Sequence, residues 1–116
     1  MMTRIPGDGY EIVIVTGSEP MDPDCDNVDV VVEFEGGRHH AAVFATLASI
    51  KERMTYFRRS GECASGLYFW ASDLILIDRL TEDAIARTVS DLVASGDFES
   101  AFSGPSFDIE PTPRAD

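Results

Sequence analysis

The segment VDVVVEFE, residues 28–35, limits the fold more than any other part of this chain. Val28, Val30, Val32 and Phe34 fall on one side of an extended strand. Asp29, Val31, Glu33 and Glu35 fall on the other. A period of two with one fully apolar side describes a strand that packs on a core through one face and shows carboxylates to water through the other. Gly36-Gly37 follows and permits a two-residue hairpin turn, because positive φ costs glycine little. RHHAAVFA, residues 38–45, then returns as the paired strand. The chain therefore needs a sheet with one covered face.

The remaining elements follow from the same kind of pattern. YEIVIVT, residues 10–16, alternates as a strand with both faces partly apolar, and GSEPMDPDCDN after it reads as an exposed loop. Thr46 can cap a helix whose apolar stripe is Leu47, Ile50, Met54 and Phe57, and Gly61 stops it. Lys51, Arg53, Arg58 and Arg59 make this helix the one basic element, with Tyr56 opposite its stripe. Thr81 caps a second helix that buries Ile85, Val89, Leu92 and Val93 and ends at Gly96. Glu82 and Asp83 suit its positive start, and Leu80 can staple onto Ile85. Between the helices, LYFW (67–70) and LILIDRL (74–80) read as two strands around Ala71-Ser72-Asp73, or as one bent strand. Phe98 and Phe102 fold back onto the core. The predicted order is β-β-β-α-β-β-α, an α+β fold with a mostly antiparallel five-stranded sheet and two helices on one face. One domain is expected over residues 1–110, with a disordered tail at 111–116.

The formal net charge of −12 over 116 residues is unevenly placed. Residues 1–35 carry nine acids and one base, and residues 96–116 five acids and one base, while the middle is balanced. A field of that sign repels phosphate backbones and steers towards a basic protein partner, so direct nucleic-acid binding is not expected. No basic leader with a long apolar run opens the sequence, and no stretch approaches a membrane span. The expected home is the cytoplasm, where Cys25 and Cys63 stay reduced.

Four constellations bear on chemistry. Asp22, Asp24, Asp26 and Glu33 occupy positions one, three, five and twelve of a calcium-loop spacing, but Asn27 stands where that loop needs glycine and no helix precedes it. Cys63, in the small-residue loop GECASG, could serve as a nucleophile with His39 or His40 as base. Asp73 or Asp78 could orient the imidazole, although nothing in the sequence draws these groups together. The glycines of PGDGYE precede a strand instead of opening a helix, which rules out a phosphate loop. Finally, Tyr68 and Trp70 share one side of an extended LYFW, with Leu67 and Phe69 on the other. If Phe69 points inward, Tyr68 and Trp70 lie outward beside the acidic strand; with the faces exchanged, Trp70 is core. The candidate binding residues are thus Asp29, Glu33, Glu35, Tyr68, Trp70 and Asp73, with no metal or cofactor site.

Residues 61–102 resemble a type of small bacterial protein, most strongly in YFWASDLIL and GDFESAF. A small, acidic α+β chain without catalytic motifs is also similar in form to cytoplasmic immunity proteins that neutralise bacterial toxins. That resemblance implies a non-enzymatic role, covering the basic surface of a toxin. A small enzyme built on Cys63 and a histidine is the alternative from another class. A self-associating domain, such as a homodimer, is the third.

Overall fold

The computed structural model describes residues 1–102. Five strands form one sheet in the order β1 (Met2–Pro6), β2 (Tyr10–Val15), β3 (Asn27–Phe34), β4 (His39–Ala45) and β5 (Leu74–Leu76). Four helices complete the described chain: α1 (Leu47–Ser60), α2 (Glu62–Gly66), α3 (Glu82–Ser95) and α4 (Phe98–Ala101). The α+β class and the number of strands are as expected, but the sheet type and the helix count differ. The sheet is mixed, not mostly antiparallel, because β5 runs parallel to β4. Among the described residues there are four helices instead of two. The proposed tail at 111–116 lies outside the described residues.

The strand missed by pattern is β1, which pairs antiparallel with β2. The glycines of PGDGYE form its hairpin. Gly7 N–H donates to the Tyr10 carbonyl at 2.8 Å, and Gly9 takes φ +85°. A side chain at Gly7 would collide with the Tyr10 ring. The next hairpin, β3–β4, turns through the three residues Glu35, Gly36 and Gly37, one more than expected. Phe34 N–H donates to the Arg38 carbonyl at 2.8 Å, and both glycines have φ above +90°.

LYFW is not a strand. Parallel pairing explains this: β4 and β5 point the same way, so the chain must be carried out and back between them. Helix α1 carries it out, and residues 61–73 return it. The turn is left-handed, with Cys63, Ala64 and Ser65 at φ +49°, +53° and +60°. Phe69 on the returning leg stacks on Phe57 of α1, rings 6.4 Å apart.

The core lies on one side of the sheet. Ile12, Ile14, Val28, Val30, Val32, Ala42 and Phe44 meet Ile85 and Val89 of α3 and Phe98 and Phe102 at α4. Phe98 and Phe102 stack with centroids 4.4 Å apart, and Phe98 also meets the rings of Phe34 and His40. Both long helices are capped as their sequences require. Thr46 and Thr81 accept from Ser49 and Ala84 N–H, and Gly61 and Gly96 close them at positive φ. Helix α1, however, gives no residue to this core, so two long helices on one face is not the arrangement found. Its Leu47 is exposed, and Phe57 packs against the return leg instead.

Candidate binding face

The register defines the second face of the sheet. Met2, Val15, Asp29, Val43 and Leu74 form one row across all five strands, and Arg4, Val13, Val31 and Ala41 form the next. A packed helix drives side chains to full burial, as it does Val30 and Val32 on the opposite face. On the second face Val13 and Ala45 are buried, Val15, Val31, Ala41 and Val43 are half-buried, and Asp29, Met2 and Leu76 are exposed. A depression of about 320 Å³ opens there between Val15, Asp29, Val31 and Val43, with Ser72 and Asp73 at its rim.

The six candidate residues fall into three groups. Asp29 lies at the centre of this face with its carboxylate in water. Glu33 is on the same face but is already partnered. Arg4 Nη1 donates to Glu33 at 3.3 Å and to Glu11 at 2.8 Å. Glu11 and Glu33 are register partners on adjacent strands, a like-charge pairing that Arg4 neutralises. These two hydrogen bonds, Glu11 first, hold the Arg4 guanidinium above its ordinary pKa. Glu35 lies past the end of β3, in the hairpin turn, with its N–H donating to the Gly9 carbonyl. Asp73 is half-buried with φ +54°, and its carbonyl accepts from Val43 N–H, which starts the β5 pairing.

Tyr68 and Trp70 are the third group. They face outward although LYFW is no strand: Trp70 is 68% exposed, Tyr68 49% and Leu67 78%. Phe69 is the inward residue, fixed by Phe57. Trp70 is three residues from Asp73, so it lies within about 11 Å of the rim of the depression. Leu67 belongs to the same exposed run, and sequence alternation assigned it to the inward side. The signal that could have placed it outward is GECASG, whose small residues between two glycines suit a left-handed turn rather than a strand approach.

The other constellations do not assemble. The Asp22 and Asp26 carboxylates accept from amides of their own loop, and Asp24 pairs with Arg79 at 3.2 Å. Glu33 is held on the sheet by Arg4. Among the described residues no cluster of three or more His, Cys, Asp or Glu is arranged to hold a metal ion. His40 is buried in the core against Phe34 and Phe98, to which neither α1 nor α2 contributes, whereas Cys63 sits on α2 against α1. Cys25 is the thiol with a defined environment. Partial burial, then its hydrogen bond to Glu52 and the charges of Glu52, Asp22 and Asp26, push its pKa up, the reverse of what a nucleophile needs. No described helix is long and apolar enough to cross a membrane.

Fold and site together define a class, an α+β domain that covers one face of its sheet and leaves part of the other accessible. Compared with known protein families, with curated proteins and with solved structures, the chain matches none.

Proposed function

We propose that this chain is a non-enzymatic binding protein that docks a basic protein on the second face of its sheet and on the neighbouring Leu67–Trp70 segment. One observation carries the reading: three large apolar side chains, Leu67, Tyr68 and Trp70, stand in solvent beside a half-apolar sheet face that presents Asp29. Exposed Trp and Tyr are the side chains that anchor interfaces, since each gives a large apolar area and a polar handle. The net charge of −12 speeds the encounter with a basic surface. Neutralising a toxin by covering its basic cleft is the biological role that fits this chemistry.

The test uses the product of an adjacent reading frame as partner, with titration calorimetry at two salt concentrations. Affinity is expected to fall as salt rises, and Trp70→Ala to weaken binding by about tenfold or more, a loss of ~1.4 kcal/mol or greater. Asp29→Lys is expected to slow association. A partner that binds Trp70→Ala and Asp29→Lys as tightly as the parent chain would refute the proposed face.

A further inference from the structure

The two edges of the sheet are unlike. The β1 edge carries Arg4 and ends at Pro6, both of which discourage pairing with another strand. The β5 edge is Leu-Ile-Leu, with neither charge nor proline, and no described strand lies beyond it. Its pairing with β4 uses the Asp73 carbonyl, which accepts from Val43, and Ile77 N–H, which donates to Ala45. Backbone groups alternate along a strand, so N–H and C=O of Leu74 and Leu76 point away from β4, along the open edge. Leu76 is 53% exposed. A groove of about 1010 Å³ between residues 76–79 and α3 leaves space beside this edge.

We propose that a second copy of this chain occupies the β5 edge, the two strands pairing antiparallel about a twofold axis at Ile75. This proposal goes beyond the docking reading and stands without it. In this register Leu74 lies opposite Leu76 of the other copy, and each such pair exchanges two main-chain hydrogen bonds, four in all. Charge decides for this occupant: Asp73 meets Ile77 of the other copy and Asp78 meets Ser72, so no two carboxylates face each other across the junction. Four leucine side chains, Leu74 and Leu76 from each copy, then meet on the second face of a continuous ten-stranded sheet. The acids elsewhere on each copy still repel, so added salt strengthens this contact, opposite in sign to the docking of a basic partner.

A contact of three residues per strand belongs to the weak class, below about 1,200 Å² in total, so the full chain is studied by sedimentation equilibrium at roughly 10–500 µM. The expected result is a mass rising with concentration from 12.7 kDa towards twice that value, and rising further in high salt. Leu76→Pro removes an edge donor without touching the β4 ladder. Leu76→Asp, at an exposed position, places a charge there without disturbing the core. Each is expected to weaken self-association by about tenfold or more, and Trp70→Ala to leave it unchanged. A chain that stays monomeric at every concentration and salt overturns the proposal. So does a dimer that both Leu76 variants leave intact, or one that Trp70→Ala weakens as much as they do.

Discussion

Replacing Gly66 by alanine should cost far more than the same change at Gly61, although both glycines have nearly the same backbone angle, φ +85° and +87°. At Gly61 an added Cβ meets nothing within 4 Å. Only the left-handed penalty of about 1–2 kcal/mol remains, partly offset by ~0.4–1 kcal/mol from a stiffer unfolded chain. At Gly66 the Cβ would collide with the Met54 carbonyl oxygen and lie 3.4 Å from the Arg58 nitrogen. Those atoms are four residues apart in α1, so the methyl group wedges into a helical hydrogen bond, and a backbone oxygen cannot swing aside as a side chain would. Relief needs a shift of about 1 Å between the turn and α1, and overpacking of that size costs about 1–3 kcal/mol beyond the shared backbone term. Gly66→Ala is therefore expected to lose about 2–4 kcal/mol and Gly61→Ala about 1 kcal/mol or less. Parallel urea melts followed by circular dichroism measure the difference, with amide exchange over residues 66–69 to register a turn that opens locally. Equal midpoints together with equal exchange would show that the return leg does not rest on α1 here, and the placement of Tyr68 and Trp70 would lose its basis.

Two further expectations concern charge. Arg4→Met leaves Glu11 and Glu33 facing each other, so the urea midpoint should fall at low salt. The loss should shrink in 0.5 M sodium chloride, where the screening length is roughly half its physiological value, and Glu33→Gln added to Arg4→Met should restore it; a double variant no more stable than Arg4→Met would refute the like-charge account. The raised Cys25 pKa means the folded chain holds that thiol proton more tightly than the unfolded chain. Its stabilising effect is complete below the ordinary thiol range and is lost as pH rises through the raised folded value. In a Cys63→Ser background, the alkylation rate should climb at higher pH in buffer than in urea, and Glu52→Gln should lower that midpoint. Coincident profiles would refute the environment assigned to Cys25.

Local signals carried most of the fold. The 28–35 alternation, the two threonine caps, the two glycine stops and the inward Phe98 and Phe102 all follow from chemistry within a few residues of each site. What the pattern did not reveal depends on distant partners. Nothing within LILIDRL says whether its neighbour runs parallel or antiparallel, and that choice turned LYFW from a strand into a return leg. The bare position of Asp29 was legible, because charges alternating with valines allow only one inward face. The capture of Glu33 was not, because Arg4 reaches it from β1, a strand that the five-residue MTRIP segment barely signals.

Two features that cost stability coincide in the chain between α1 and β5. Three consecutive non-glycine residues, Cys63, Ala64 and Ser65, hold left-handed angles at about 1–2 kcal/mol each, a large fraction of the 5–15 kcal/mol that keeps a typical domain folded. Just after them, Leu67 and Trp70 leave most of their surface in water and Tyr68 about half, at a loss of about 25 cal/mol for every apolar Å² not buried. A right-handed continuation of α1 would avoid the first cost, but it would carry the chain away from β4 and end the parallel pairing at Val43. The turn is thus tied to the sheet topology, whereas the exposed aromatics are not: polar residues at 68 and 70 would leave Phe69 on Phe57 and the fold unchanged. That asymmetry separates the two. The left-handed turn belongs to the architecture, and the aromatic pair, which the architecture does not require, is what the proposed docking role would account for.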